Sequence, residues 1–182
     1  KLLVDLEPEK IVSSIDWRYL KDALTPDEAI SILNEKSSDH KKLENNLLVE
    51  GPKAYSTAGW LGLTDQQISD TISEMKKEGF DAFKMKVGQD INHDIERLTF
   101  IRKQIGEESK LMTDCNQVLG VEEAIEYMKK LSKFNITWIE EPTARDDVQG
   151  HLEIAKALEP YGIKVATGEQ VQSPVIFKQL LK

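Results

Sequence analysis

An α/β fold built on a parallel sheet is what the sequence predicts, on three observations. Short apolar runs recur at an even pitch: with Phe83, Met112, Trp138 and Val165 as strand markers, the steps are 29, 26 and 27 residues. Each step holds one amphipathic segment of helical period, so strand and helix alternate, which implies parallel strands joined by right-handed crossovers. Several runs also end in acids or lysines, and in such sheets chemistry gathers at the strands' C-terminal ends.

The 182 residues, 40% of them hydrophobic, suffice for one sizeable core or one domain plus an appendage. A net charge of −8 without a polyacidic block argues against a nucleic-acid partner and offers no membrane-surface patch. The single cysteine, Cys115, excludes an internal disulfide and fits a reducing, intracellular compartment. No apolar run approaches the length of a membrane span, and Lys1-Leu2-Leu3-Val4-Asp5 lacks the features of a signal peptide. A chain that opens without Met, inside what reads as a helix, looks like a fragment.

Residues 1–52 form one compositional zone. Pro8 interrupts the first segment, and Ile11 to Leu20 reads as a short helix followed by an irregular packed stretch. Thr25-Pro26-Asp27-Glu28 predicts a helix start, with Thr as N-cap, Pro at the first position and acids in the first turn. The polar stretch Asn34 to Asn46 is either that helix continued or a loop, before Leu47, Leu48 and Val49 turn apolar. Gly51-Pro52 marks the boundary with a second domain, residues 53–182.

There the alternation begins. Ala54 to Trp60 is the first strand, and Thr64-Asp65-Gln66-Gln67 is a capping box for a helix whose Ile68, Ile72 and Met75 share one face. Strand 83–87 follows, then a helix through Ile95, Leu98 and Ile101. The third strand holds Asp114, and the next helix turns Ala124, Ile125, Met128 and Leu131 inward. Ile136-Thr137-Trp138-Ile139 is the fourth strand, stopped by Pro142 beyond Glu140-Glu141. A helix near Val148 to Leu158 leads to the fifth strand, which carries Glu169, and Ser173-Pro174 opens a last helix that runs to Lys182. Five strands do not close an eight-stranded barrel, which takes roughly 250 residues. The reading is a partial (β/α)8 barrel of about five βα units, the front part of a longer protein; an open sheet is the alternative.

Side chains two apart on a strand share a face, so Lys84 and Lys86 point the same way, as do Asp114 with Asn116 and Thr167 with Glu169. If the lysines face the barrel axis, carboxylates from three neighbouring strands converge above the sheet. Burying an ionised carboxylate alone costs several kcal/mol, and a cation is the simplest remedy. Hard oxygen ligands without His or Cys favour magnesium or manganese over zinc. Three acids, a dication and two lysines leave a slightly positive site, suited to a carboxylate substrate. The bland readings are an outward lysine pair at a strand edge, a solvated loop start at Glu140-Glu141-Pro142, an Asn116 that caps a turn, and Trp17, Trp60 and Trp138 as packing residues.

Lys-x-Lys at 84–86, Asp-x-Asn at 114–116, Glu-Glu-Pro at 140–142 and Gly-Glu at 168–169, in that order on successive strands, resemble the enolase superfamily of mandelate-racemase type. Asp16-Trp17-Arg18-Tyr19-Leu20, Asp114-Cys115-Asn116-Gln117 and Ala166-Thr167-Gly168-Glu169-Gln170 are similar to its L-fuconate dehydratase branch, which includes the mitochondrial enolase superfamily members. The resemblance implies that residues 1–52 are the tail of an α+β capping domain and that Asp114, Glu140 and Glu169 hold Mg2+. It implies Lys86 as the base that removes the proton α to a sugar-acid carboxylate, Lys84 as its neighbour holding that group, and Asn116 as a substrate contact. The superfamily's general scheme, a Lys or His base with a magnesium-stabilised enediolate, is carried over with it. A lysine is a base only when neutral, and a nearby ammonium or metal cation disfavours the charged form. The implied reaction is dehydration, a lyase activity, and the resemblance leaves room for a homo-oligomer of the full-length form.

The sequence departs from the family pattern in two ways. The usual His-Asp pair comes from later strands: His40 and His93 fall in polar stretches, and His151 opens a helix, where a structural role is expected. Val118 stands where the branch carries an arginine after Asn-Gln. The competing function is a truncated, catalytically incomplete paralogue with a metal-binding or interaction role.

Overall fold

The computed structural model describes residues 6–37, 40–51 and 53–182. The helical opening expected at residues 1–5 and the break at Pro52 lie outside the described residues. The chain forms two compact units: the residues up to Lys53 together with Gln172–Lys182, and Ala54–Val171.

In the first unit, α1 spans Pro8–Ser13, α2 Pro26–Ser37 and α3 His40–Glu50. The Trp17 indole donates to the Val12 carbonyl at 2.8 Å, so this tryptophan packs as expected. Helix α2 opens where the sequence places it: the Glu28 carboxylate accepts from the Thr25 N–H at 2.8 Å and Thr25 Oγ1 accepts from the Glu28 N–H at 3.3 Å. The polar stretch after Leu33 is helical on both sides of residues 38–39, and Leu47, Leu48 and Val49 lie exposed on α3.

The second unit carries the sheet. Strands β1 (Ser56–Gly59), β2 (Ala82–Lys86), β3 (Lys110–Asp114), β4 (Ile136–Glu140) and β5 (Lys164–Ala166) are all parallel and lie in chain order. Between them run α4 (Asp65–Lys77), α5 (Ile91–Ile105), α6 (Val121–Leu131) and α7 (Val148–Leu158). The capping box at Thr64 and Gln67 is present as expected, and Asp90 and Asp147 cap α5 and α7 by accepting from the N–H groups of His93 and Gly150, at 2.8 Å each. The last helix, α8 (Pro174–Leu180), belongs to the first unit. It opens at Ser173-Pro174 as expected and closes at Leu180, two residues before the chain end. Its Lys178, together with Lys182, hydrogen-bonds the Asp22 carboxylate and lowers that group to about 2.

Each strand has two faces of opposite character. Phe83, Met85 and Val87, then Leu111 and Cys115, then Ile139, join the core formed with Ile68, Ile72, Leu98, Ile101, Ile105, Met128, Leu131, Ile154 and Leu158 of the covering helices. The alternate positions, Lys84, Lys86, Met112, Asp114, Trp138 and Glu140, take the other face. Cys115 is therefore core, as expected, and burial raises its thiol well above the ordinary range. At the opposite end of the strands, buried Arg102 of α5 donates to the carbonyls of Phe134, Asn135, Gly106 and Ser109 at 2.8–3.2 Å. One side chain thereby ties the end of α5 to the approaches of β3 and β4. No helix among the described residues is long and apolar enough to cross a membrane.

Two substitutions separate these contributions. Leu111→Ala, a fully buried residue, should cost about 2–5 kcal/mol through lost transfer energy and the cavity left behind. Arg102→Met keeps the packing and strands four carbonyls, for a loss on the order of 3 kcal/mol. Urea denaturation reads both, and an Arg102→Met midpoint equal to the unsubstituted protein's would show that water satisfies those carbonyls instead.

Candidate active site at the strand ends

The register of the parallel sheet brings the chemistry together. Lys86 lies opposite Asp114, Asp114 opposite Glu140, and Glu140 opposite Ala166. All are last or near-last residues of their strands, and Lys84, Lys86, Asp114 and Glu140 are each at most 9% exposed. The lysine pair faces inward, so the strand-edge reading of it does not hold.

Lys84 Nζ sits between two carboxylates, 2.9 Å from both Glu140 oxygens and 3.1 Å from Asp114 Oδ2. Lys86 Nζ donates to the same Asp114 Oδ2 at 2.6 Å and to Asn116 Oδ1 at 2.7 Å. Asn116 thus touches the lysine base candidate, and its backbone N–H also donates to Asp114 Oδ1 at 3.0 Å. Two aromatic rings complete the cluster. Tyr55 lies 5.2 Å from Lys84 Nζ and Trp60 lies 5.0 Å from Lys86 Nζ, both in cation–π range.

Burial alone would lower the Lys84 ammonium, but hydrogen bonds to Glu140 and Asp114 outweigh it and raise the group above the ordinary lysine range. Asp114 mirrors this: burial would raise it, and the bonds from Lys86, Lys84 and the Asn116 N–H lower it. The opposed charges hold each other ionised in a place that would otherwise neutralise them.

Backbone strain collects in the same loops. Three of the four non-glycine residues with positive φ among those described are Asn116 (45°), Gln117 (65°) and Glu141 (43°). Asn tolerates this region, whereas Gln and Glu adopt it at a cost of roughly 1–2 kcal/mol each. They are tied down reciprocally: the Gln117 N–H donates to the Glu141 carbonyl at 2.8 Å, and the Glu141 N–H to the Ala166 carbonyl at 2.9 Å. The Glu141 carboxylate, 1% exposed, accepts from the Gln170 N–H at 3.0 Å and Gln117 Nε2 at 3.3 Å. Of the two adjacent acids, Glu140 therefore faces the lysines and Glu141 braces the loops.

Glu169 is not brought to the other two acids. The parity reading extended β5 to residue 169, but the strand closes at Ala166, and Gly168 at φ 128° turns the chain. Glu169 is exposed, and its Oε1 accepts from Gln170 Nε2 at 3.4 Å. Among the described residues no group of three or more His, Cys, Asp or Glu side chains is placed to hold a metal ion. Asp114 and Glu140 nevertheless fit one: they are hard oxygen donors in register, and the Lys84 ammonium between them shows that a cation is accommodated there. His151 stays apart, buried in α7 with Nδ1 2.7 Å from the Asp147 carbonyl.

Trp60 departs from its packing role: the residue is 54% exposed. Tyr55 and Arg97 belong to the site without having been singled out by the sequence pattern, Glu141 entered it only as part of the Glu-Glu-Pro motif, and Trp60 only as a packing residue. Of the first two, only Arg97 left a trace. Asp94 and Arg97 interrupt the buried stripe of α5 that continues through Leu98, Ile101 and Ile105.

The model of one family, enolase C-terminal domain-like, matches residues 67–182. The crystal structure of human mitochondrial enolase superfamily member 1 superposes with a TM-score of 0.91 at 48% identity, covering 99% of this chain and 41% of that one. The L-galactonate dehydratase of Hypocrea jecorina is 44% identical across 100% of this chain and 41% of its own length. The Salmonella typhimurium L-talarate/galactarate dehydratase, solved with Mg and L-lyxarohydroxamate, gives a TM-score of 0.63 at 36% identity, covering 70% of this chain and 32% of that one. The chain thus spans about two fifths of the length of the first two relatives.

The charge network makes a pH prediction. Asp114 is lower when folded than its ordinary value of 3.8, so its stabilisation is present above that value and is lost as pH falls through the folded one. Lys84 is higher than its ordinary 10.5, so its contribution is present below that value and is lost as pH rises through the folded one. Asp114→Asn should cost about 3 kcal/mol near neutrality by leaving buried ammonium charge uncompensated. It should also flatten the acid limb, as read by urea midpoints between about pH 3 and about pH 7; an unaltered acid limb would place the titrating group elsewhere.

Proposed function

The chain belongs to the enolase C-terminal domain-like family, and from that membership we propose that the protein is an acid-sugar dehydratase. Its substrate is an L-fuconate-like aldonic acid, which loses the proton α to its carboxylate to Lys86 and then, once a general acid has protonated it, its β-hydroxyl as water. The observation that carries this reading is the buried, in-register cluster of Lys84, Lys86, Asp114 and Glu140 at the strand ends. The dehydratase names of relatives from Hypocrea jecorina and Salmonella typhimurium support the reaction class.

Asp114 and Glu140 are the residues that would hold Mg2+, with Glu169 joining them only if the loop after Gly168 turns its carboxylate inward, and two relatives are solved with Mg. When bound, magnesium supplies Lewis-acid stabilisation of the charge that develops on the substrate carboxylate. The chain's own residues do the rest. Lys84 offers an ammonium to the same carboxylate, and Asn116 orients the Lys86 amine through Oδ1 while its NH2 group has donors for a substrate hydroxyl. The near-complete burial of Lys84 and Lys86, with the Tyr55 ring beside one amine and the Trp60 ring beside the other, strengthens each charge contact.

In the full-length protein, Lys86→Ala should slow exchange of the substrate's α-proton with deuterated solvent by about 10²–10⁴-fold, the range for loss of a positioned base. Exchange at the unsubstituted rate would remove Lys86 from that role. A panel of aldonic acids that includes L-fuconate, run with magnesium and with a chelator, should show dehydration only with the metal. Silence across the whole panel would favour the catalytically incomplete alternative.

A further inference from the structure

Lys86 reaches its position on a flexible four-carbon stem, and a base on such a stem needs something to aim it. Two of its contacts, Asp114 Oδ2 and Asn116 Oδ1, come from β3 and the loop after it. The third comes from the other side, where the Trp60 ring lies 5.0 Å from Nζ. The residue as a whole is about half exposed, which is an unusual place for a tryptophan with no further duty.

The backbone beneath the ring is held by a side chain from a different element. Arg97 of α5 is 7% exposed. Its guanidinium donates to the Lys86 carbonyl at 2.8 Å and to the carbonyls of Gly59 and Trp60 at 3.0 Å each. One planar fork therefore ties the end of β1, which carries Trp60, to the end of β2, which carries Lys86. Asp94 steadies the fork from behind, 3.4 Å from Arg97 Nη1. That carboxylate also accepts from the Gly88 N–H and the Tyr127 hydroxyl at 2.7 Å each, and burial and the Asp94 charge raise the Tyr127 phenol above its usual range. Space is equally tight: a Cβ on Gly59 would meet Met85 Cγ at 2.5 Å and Ile101 Cδ1 at 3.0 Å.

We propose that Trp60 is a positioning residue for Lys86, its ring confining the amine to the substrate side, with Arg97 fixing ring and amine relative to each other through the backbone. The inference rests on the reading of Lys86 as the base, and it adds residues from β1 and α5 to that reading. A planar guanidinium is required, because a lysine ammonium at position 97 cannot reach three carbonyls from one plane.

The test uses the full-length protein with Trp60→Phe, Trp60→Leu and Arg97→Lys. Trp60→Phe keeps a π-face and should retain most of the α-proton exchange rate. Trp60→Leu keeps bulk without the face and should lower kcat by roughly tenfold or more with KM little changed, since a misaimed base weakens the transition state and not ground-state binding. Arg97→Lys should lower kcat in the same way at temperatures well below its melting point. Side-chain NMR gives a readout that needs no turnover. The ε-methylene protons of Lys86, identified by their loss in Lys86→Ala, should be shifted upfield by the ring in the unsubstituted protein and in Trp60→Phe, and should relax toward the ordinary position in Trp60→Leu and Arg97→Lys. A Trp60→Leu enzyme with unaltered kcat, or one altered in KM alone, would overturn the proposal, as would a Lys86 resonance indifferent to the ring. Full exchange in Lys86→Ala would instead overturn the assignment of the base, a separate and recognisable result.

Discussion

The contact on which this structure depends is a charge balance: two ammonium and two carboxylate groups, all nearly buried, at the ends of three adjacent strands. Removed from water singly, each would be prohibitive; together they are tolerable because Asp114 Oδ2 is shared by both lysines and Glu140 takes both of its bonds from Lys84. Sharing is possible only if the three strands keep their register. A slip of one residue would send every one of these groups into the helix-packed core and bring Phe83, Met85 and Leu111 to the other face. The hydrophobic core and the polar cluster therefore specify the same alignment, each making the other's errors expensive.

Much of this was legible because it follows from periods. The step between strand markers, the capping residues of α4 and the alternation along β2, β3 and β4 are local properties, and they put Lys84 with Lys86 and Asp114 with Asn116 on shared faces, whereas the register of the folded sheet decides which face. The reading failed where it counted past the end of regular structure. Glu169 was assigned by parity, but parity holds only while the backbone stays extended, and Gly168 ends that. The ambiguity of residues 34–46 has a related origin: a polar stretch lacks the apolar stripe that distinguishes a helix from a loop, and the described residues there turn out helical. Trp60 and Tyr55 were illegible for another reason. Each flanks β1, and its partner lies about one βα unit away, so only the folded sheet reveals the pairing.

Glu141 shows how a function-bearing loop is held in an unfavourable conformation. Its positive φ points the side chain away from Glu140 and into a pocket of donors made by Gln117 and Gln170. Gln117, itself strained, uses its remaining oxygen to accept from the Arg145 N–H at 3.1 Å. The loops after β3, β4 and β5 are thus cross-linked through two side chains, and the strain in one is offset by hydrogen bonds to the next. The two neighbouring acids of Glu140-Glu141-Pro142 share a composition and divide the work: one faces the chemistry, the other fixes where that face is.

The same balance bears on what the site accepts. As folded, the two lysines and the two inward acids sum to no net charge, so the cluster has no excess of positive potential with which to draw in an anion. A dication held by Asp114 and Glu140, with Lys86 neutral as a base has to be, would bring the sum to one positive charge, the complement of a single carboxylate. On the proposed reading, metal and substrate would be coupled by electrostatics before any bond between them is considered, because the cation would create the field that the acid answers. On the proposed reading Lys84 would yield part of its hold on Glu140 to the cation and could meet a carboxylate, while Lys86 would keep Asn116 and the Trp60 ring as partners. Asp114 is therefore the one partner of Lys86 for which a cation would compete, and Asn116 and Trp60 are the partners it would leave in place.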